Sequence, residues 1–336
     1  MSFANGQSGA APLPLFTELA VTGILGNPQG NSLPDLDAGC GIGQFLAHLP
    51  LLRAGTRMSS SGKRRIDTST HPHTNLFTQV DRTNDPDFFV RFMDETQKLP
   101  AIQESKWLMM ERMALAPGEA VLDVGCGPGT DVFEMVELVG PAGRLVGLDA
   151  SEAMIAEARR RAKELRVPIT FEVGEVQALT FPDGTFDVCR TARLLEHLSD
   201  AERALTEMVR VSRPGGRIVV FDFDWDTLII DHPDKETTRT IVLSYSHSIR
   251  NGWIGRQLPR LFKEQHLEML SIDPVQVFVH YALAELFLGS HLVVLQTNGT
   301  LSASKAQQWW EYLQHADEHG TLLISFTTFI IVGAKR

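Results

Sequence analysis

Three glycines stand at every second position, at Gly125, Gly127 and Gly129, directly after the apolar run 120–124. A glycine has no Cβ, so it tolerates a positive φ and lets a ligand approach the backbone closely. The Gly-x-Gly-x-Gly spacing differs from the Gly-x-Gly-x-x-Gly that is typical of dinucleotide sites. Asp123 precedes the first glycine, where an acid would repel a phosphate. The stretch therefore predicts a site for a ligand with a positive amino group, which favours S-adenosylmethionine over NAD, FAD or ATP.

A second acid, Asp149, ends the predicted strand 143–149, 20 residues beyond Gly129. An acid at the tip of a strand beside a glycine turn can accept hydrogen bonds from both hydroxyls of a ribose. Ser151 follows as the predicted cap of a helix over residues 151–165. The basic residues near the end of that helix fit a complement to the helix dipole and a solvated face, not an anion site.

Strands and helices alternate along the chain from residue 120 onward. Further strands are predicted at 169–173, 186–189 and 217–222, with a helix at 200–212. This alternation specifies a parallel, doubly wound α/β sheet, in which the strand tips meet at one edge. The loop at the tip of the fourth strand is predicted to run over residues 190–197.

Taken together, these motifs resemble those of the class I S-adenosylmethionine-dependent methyltransferases, specifically the ubiquinone-biosynthesis-like group of small-molecule enzymes. The resemblance is carried by residues 121–129, 147–151, 174–176, 179–188 and 214–217, and it covers about residues 85–336. It implies a Rossmann-like fold with a doubly wound, seven-stranded, mostly parallel sheet and helical lid insertions. The last strand of this fold is antiparallel and lies beside the fifth. The sixth and seventh strands are predicted at 267–279 and 321–333.

The resemblance also implies how the cofactor is held. The three glycines would lie under its methionine part, with Asp123 near its amino group and Asp149 at its ribose. Glu175 stands where the family usually has Asp, at the adenine amino group, and Val176 would offer a backbone N–H to the ring. The predicted cofactor-binding residues are Asp123, Gly125, Gly127, Gly129, Asp149, Ala150, Met154, Glu175, Val176 and Arg190.

Methyl transfer from a sulfonium is an in-line displacement in which the cofactor brings an activated electrophile. A base is needed only if the acceptor must lose a proton, and the predicted catalytic residues are His197 and His247. A structural role beside Glu196 is the alternative for His197, and a place on a helix surface is the alternative for His247. The alternating acids of 222–226 fit a solvated strand end or hinge better than a metal site, so no metal is predicted.

The chain divides into an N-terminal extension, 1–80, and a methyltransferase domain, 81–336. The extension is rich in Gly, Ser, Pro, Asn and Thr and is predicted to be flexible. Its segment 36–43 nearly repeats the glycine turn, as a second site or a remnant of duplication, or by chance. No strand precedes it, so a working second site is not expected. In the domain, insertions at 225–265 and 281–319 are predicted to be helical and to build the substrate pocket.

A predicted helical pair over residues 85–115, divided at Pro100, would cover the ligand cleft. Its apolar faces fit simple packing on the sheet edge about as well.

Composition restricts the function further. The formal charge of −10 argues against nucleic-acid binding, and three cysteines are too few for a disulfide framework or a zinc site. A cytoplasmic location is predicted, because the few scattered cysteines fit a reducing setting and no apolar run has transmembrane length. A small-molecule substrate is expected from the resemblance, and the predicted assembly is a monomer or homodimer. A non-catalytic, regulatory S-adenosylmethionine-binding protein is the alternative. A nicotinamide or nucleotide enzyme is disfavoured by the glycine spacing and Asp123.

Overall fold

The computed structural model of the chain describes residues 74–165 and 169–336. Its strands are β1 (Ala120–Val124), β2 (Arg144–Asp149), β3 (Ile169–Val173), β4 (Phe186–Ala192), β5 (Ser212–Ile230), β6 (Glu268–Phe278) and β7 (Ile324–Ala334). Its α-helices are α1 (Pro86–Gln97), α2 (Pro100–Met113), α3 (Thr130–Val139), α4 (Glu152–Leu165), α5 (Ala201–Val211), α6 (Lys235–Ser248), α7 (Ile254–Glu264), α8 (Tyr281–Thr297) and α9 (Ala303–Glu318). A 3-10 segment, Thr74–Arg82, precedes α1 and is called the N-terminal strap below.

The strands form one seven-stranded sheet in the order β3-β2-β1-β4-β5-β7-β6. The pairs within β3-β2-β1-β4-β5 are parallel. The last strand, β7, is antiparallel to both of its neighbours, β5 and β6. The predicted doubly wound, seven-stranded fold is therefore confirmed, including the antiparallel last strand beside the fifth.

The register of the sheet brings the predicted motifs to one edge. Val124 at the end of β1 pairs with Leu148 of β2 and Thr191 of β4. Gly125, just after β1, and Asp149, the last residue of β2, therefore lie side by side. Since the carboxyl ends of parallel strands are where open α/β sheets bind ligands, this edge is the candidate site.

Helix boundaries follow local chemistry. The Asp85 carboxylate accepts a hydrogen bond from the Phe88 N–H at 3.1 Å and caps α1. Pro100 starts α2, which confirms the predicted division of the helical pair at this residue. Proline suits the first turn of a helix because it lacks an N–H that would be unpaired there.

Three predicted boundaries differ from the structure. The fourth strand continues to Ala192, so Arg190 is a strand residue and not part of a loop. The fifth strand continues to Ile230, which places the acids of 222–226 inside it, and the first insertion starts after it. The N-terminal strap includes residues 74–80, so the folded part begins before the predicted boundary at residue 80. The near-repeat at 36–43 lies outside the described residues.

Both insertions are mainly helical, as predicted. They contain α6 and α7 before β6, and α8 and α9 before β7. Among the described residues, no helix is both long and apolar enough to cross a membrane.

Candidate functional site

The glycine turn between β1 and α3 depends on the absence of side chains. Gly125, Gly127 and Gly129 all have positive φ, at 71°, 53° and 81°. A Cβ on Gly125 would lie 2.9 Å from the Leu194 side chain, and one on Gly129 would lie 2.8 Å from Phe171. Any larger residue would therefore strain the backbone and collide with its neighbours. Gly129 faces the packed interior, and not the cavity described below.

Asp149 fixes the shape of this turn. Its Oδ2 accepts a hydrogen bond from the Gly127 N–H, and its Oδ1 accepts one from the Ser151 N–H, both at 2.9 Å. Burial raises the pKa of the Asp149 carboxyl, although these two N–H groups favour the charged form. Each oxygen can accept a second hydrogen bond, so the carboxylate can hold a ligand hydroxyl while it holds the turn.

A cavity of about 240 Å³ runs along this edge of the sheet. One end of the cavity is polar and contains most of the predicted cofactor-binding residues, namely Gly125, Gly127, Asp149, Ala150, Met154, Glu175 and Val176. The other end is apolar and is lined by aromatic side chains from β5, α6, α8 and β7, namely Phe223, Trp225, Tyr245, Phe287 and Phe326. Helices α1 and α2 also line it, through Phe92, Met93, Thr96 and Ile102. A single space thus joins two chemically different ends.

Arg190 occupies a place different from the predicted one. Only 1% of its side chain is exposed, and it does not line the cavity. Its guanidinium lies 2.8 Å from Asp131 and 3.4 Å from Asp123, and Lys106 also pairs with Asp131. Burial raises the pKa of Asp123 to about 7, with Arg190 acting in the opposite direction. The buried charged side chains of β1, α2, α3 and β4 thus form a network of ion pairs next to the glycine turn.

Arg193, three residues further on, does line the cavity. It has a positive φ of 57°, a conformation that non-glycine residues rarely adopt, and its N–H donates to the Phe221 carbonyl of β5 at 2.7 Å. Its Nε is buried without a hydrogen-bond partner. The sequence pattern did not single out Arg193, because only the strand end turns this side chain away from the interior.

Two buried carboxyls lie beside the aromatic end. The Trp225 indole N–H donates to the Glu196 carboxyl, which lines the cavity. Asp222 accepts hydrogen bonds from the backbone N–H groups of Leu195 and Phe223. Burial raises the pKa of Asp222 to about 7, whereas burial and the charge of Asp222 together raise the pKa of Glu196 well above its ordinary value. The two backbone N–H groups favour the carboxylate form of Asp222, so of the two acids it is Glu196 that keeps its proton.

Comparisons with known proteins agree with this site. A family model described as a methyltransferase domain matches residues 115–271. An uncharacterized 37.1 kDa protein in transposon TN4556 of Streptomyces fradiae is 34% identical over 284 residues, which are 82% of this chain and 79% of that protein. A demethylmenaquinone methyltransferase of Lactococcus lactis is 35% identical over 160 residues, 46% of this chain and 64% of that enzyme. The chain belongs to the S-adenosylmethionine-dependent methyltransferases.

The family predicted from the motifs is thereby confirmed. The methyltransferase chain spans less than two thirds of the length of the Lactococcus lactis enzyme. Among solved structures, the YcgJ protein from Bacillus subtilis is 21% identical, with a TM-score of 0.50, over 70% of this chain and 99% of that one. That likeness concerns the fold alone.

The two predicted catalytic histidines of the methyltransferase have different surroundings. His197 lines the cavity and stacks on Phe77 of the N-terminal strap, with ring centroids 5.4 Å apart. Burial, with a smaller effect of the Arg193 charge, lowers the pKa of His197 to about 4. Its imidazole is therefore neutral near pH 7 and a weak base. His247 lies on the exposed side of α6 and does not line the cavity, so its predicted catalytic role stays a prediction without support from the cavity lining.

The acids Asp224 and Asp226 inside β5 are held by protein groups. Asp224 pairs with Arg256 of α7 through both carboxylate oxygens, and Asp226 lies 3.4 Å from the same guanidinium. Arg256 in turn lies over the Trp253 ring, 4.9 Å from its centroid. These contacts join β5 to the start of α7 and leave the two carboxylates with a cationic partner.

The N-terminal strap closes one side of the methyltransferase cavity. Phe77 and Val80 line the cavity, and Phe77 also packs edge-on against Phe89 of α1, with ring centroids 5.1 Å apart. Asp81 ties the strap to the amino end of α4, where it accepts hydrogen bonds from Ser151 and from the Glu152 N–H, both at 2.8 Å. The strap was not predicted, because it falls in the segment whose composition predicts flexibility.

Proposed function

We propose that the chain transfers the methyl group of S-adenosylmethionine to a small-molecule acceptor with a largely apolar or aromatic body. The observation that carries this proposal is the single cavity with a glycine-rich, acidic end and an aromatic end. A cofactor with a charged amino acid and a ribose suits the first end, and an apolar acceptor suits the second. One continuous space lets the two reacting atoms meet.

We assign the cofactor to the polar end. The ribose hydroxyls hydrogen-bond to Asp149, and the methionine part passes over Gly125 and Gly127. The adenine lies between Ala150, Met154 and Val176, with Glu175 at its amino group. Asp123, Gly129 and Arg190 support this wall from behind, since they lie in the packed interior and not on the cavity surface.

The acceptor would occupy the aromatic end, which is built largely by the helical insertions and β5. Tyr245 and Ile249 come from the α6 region, and Leu283 and Phe287 come from α8. The name of the Lactococcus lactis relative supports a quinone or phenol as one acceptor class to test. The methyl group is transferred by in-line displacement at the sulfonium, and the chain's contribution is to hold the acceptor in line and exclude water.

Calorimetry with S-adenosylmethionine, S-adenosylhomocysteine and NAD tests the cofactor assignment. We expect binding of the first two and none of NAD. A panel of phenols and reduced naphthoquinones, followed by measurement of S-adenosylhomocysteine release, then tests transfer. Absence of binding to either sulfur compound would refute the proposal. Tight binding without release across the panel would instead support a regulatory binding protein.

A further inference from the structure

Arg193 is a cation in the cavity wall without a protein partner. Among residues 74–165 and 169–336, it makes no ion pair, and its Nε is buried with no hydrogen-bond acceptor. A buried guanidinium normally finds a carboxylate or carbonyl, because an unsatisfied charge in a low-dielectric site is destabilising. Arg190, three residues earlier, differs in its ion pairs with Asp123 and Asp131, although its Nε and Nη1 are also buried without a hydrogen-bond acceptor.

The charged groups around Arg193 do not neutralise it. Asp131 acts on it from α3, but that carboxylate already pairs with Lys106 and Arg190. Glu196 acts on it from the turn that follows β4, and Asp222 acts on it from within β5, but burial pulls both carboxyls toward their neutral forms. The positive charge of Arg193 therefore faces the cavity with only partial compensation.

The backbone at Arg193 is consistent with a functional placement. Its positive φ is a strained conformation for a residue with a side chain, and it is fixed by the hydrogen bond to the Phe221 carbonyl. This bond anchors Arg193 on the β5 side of the cavity, where Phe223 and Trp225 begin the aromatic end. Glu196 and Asp222, two of the three carboxyls that act on its guanidinium, lie beside that end as well.

We propose that Arg193 binds the ionised oxygen of the acceptor, so that the acceptor is a phenol-like or enol-like compound that reacts as its anion. This inference rests on the proposed function and names the acceptor class of the same site. The acceptor loses its O–H proton to solvent, and the resulting anion pairs with the guanidinium. A lone pair of that oxygen forms a bond to the methyl carbon while the carbon–sulfur bond breaks, and its electron pair goes to sulfur. The products are the methyl ether and neutral S-adenosylhomocysteine.

Neither His197 nor Glu196, the two titratable groups of the cavity wall next to Arg193, is a strong base. His197 is a neutral, weakly basic imidazole, and Glu196 keeps its proton near pH 7, so neither takes a proton from a phenol readily. A cation beside the acceptor favours the phenolate and so lowers the pKa of the phenol, which makes a base unnecessary. His197 and Glu196 then shape the pocket and exclude water around the anion.

The test uses 4-nitrophenol as a probe, because its phenolate absorbs visible light and its phenol form does not. The full chain is saturated with S-adenosylhomocysteine, and the probe is titrated against pH in the wild type and in Arg193→Met, Arg193→Lys and Arg239→Met. Arg239 is an exposed residue of α6 outside the cavity lining and serves as the control. Thermal unfolding of each variant reports folding.

We expect the wild type and Arg239→Met to lower the apparent pKa of bound probe by about one, which is the effect of one hydrogen bond to a charge. Arg193→Met abolishes this decrease and weakens phenolate binding about tenfold, whereas Arg193→Lys retains part of both effects. Equal probe ionisation in the wild type and Arg193→Met would overturn the proposal, as would a wild type that neither binds nor ionises the probe.

A second experiment distinguishes binding of the acceptor oxygen from binding of the cofactor carboxylate, which is the other anionic group that Arg193 would meet in this cavity. S-adenosylmethionine and its decarboxylated analogue are titrated into the wild type and Arg193→Met. We expect the wild type and Arg193→Met to have the same affinity for S-adenosylmethionine, and the same affinity as each other for the decarboxylated analogue. If Arg193→Met loses affinity for S-adenosylmethionine alone, the guanidinium binds the cofactor carboxylate and the acceptor assignment is wrong. Failure of the proposed function would appear differently, as no binding of either sulfur compound to the wild type.

Discussion

Asp81 and Ser151 are joined by a hydrogen bond of 2.8 Å across 70 positions of the chain, from the Ser151 hydroxyl to the Asp81 carboxylate. The same carboxylate accepts from the backbone N–H groups of Glu152 and Ala153. An acid at the amino end of a helix satisfies its free N–H groups and complements its dipole. Here a residue of the N-terminal strap supplies that acid and thereby positions Phe77 and Val80 in the cavity wall.

Asp81→Ala is expected to lower the free energy of unfolding by about 1 kcal/mol, the usual value of a helix cap. Burial is the largest single effect and opposes ionisation, but the hydrogen bonds from Ser151 and the α4 backbone together leave the pKa of Asp81 below its ordinary value of 3.8. This contribution is therefore present above pH 3.8 and disappears as the pH falls through the lower pKa of the folded state. Denaturant unfolding at pH 7 and at acid pH measures it. A difference between wild type and variant that does not shrink in acid would contradict the assignment.

Asp149→Asn is expected to weaken S-adenosylhomocysteine binding by about 1–3 kcal/mol, because a hydrogen bond to a charged acceptor becomes one to a neutral amide. The turn itself should persist, since the remaining amide oxygen can still accept from one of the two N–H groups, Gly127 or Ser151. Calorimetry measures the affinity. Asp183→Asn, an exposed acid with 78% of its side chain accessible, is the control and should bind normally. Unchanged affinity in Asp149→Asn would place the ribose elsewhere.

His197→Gln is expected to change the pH dependence of stability. The imidazole titrates near its ordinary 6.5 in the unfolded chain, but burial first and then the charge of Arg193 lower its pKa to about 4 in the fold. Between these values the unfolded state holds one more proton, so wild-type stability rises with pH by about 1.4 kcal/mol per pH unit from this residue. The variant lacks this slope. Urea titrations at several pH values measure it, and His247→Gln, on the exposed side of α6, should retain the wild-type slope.

Arg190→Met is expected to destabilise the fold by about 3–5 kcal/mol, because Asp131 loses a buried partner and Asp123 its nearest cation. Arg91→Met is a matched comparison, since Arg91 lies 2.7 Å from Asp85 but has 61% of its side chain exposed. Its loss should change stability by less than about 1 kcal/mol. Chemical denaturation compares the two variants. Similar effects in both would mean that the interior network contributes no more than a surface ion pair.

Much of the fold follows from local patterns. The apolar runs, the glycine turn and the proline at residue 100 predicted the parallel strands, the turn and the divided helical pair, because each depends on burial or backbone geometry within a short stretch. The aromatic end of the cavity had no such signal. Its residues come from β5, α6, α8 and β7, and each one alone is indistinguishable from a core residue.

The positions of Arg190 and Arg193 relative to the cavity could not be predicted from the sequence. The family, the glycine turn and the acid at Asp149 could be predicted from residue types, because a ligand-binding strand tip requires those types. Two arginines near the end of the fourth strand were also visible in the sequence. That β4 continues to Ala192, which buries Arg190 against Asp123 and Asp131 and leaves Arg193 in the cavity wall, became clear from the packed structure. The physical reason is that the partner of a buried charge comes from distant elements, and their packing is not encoded in local spacing.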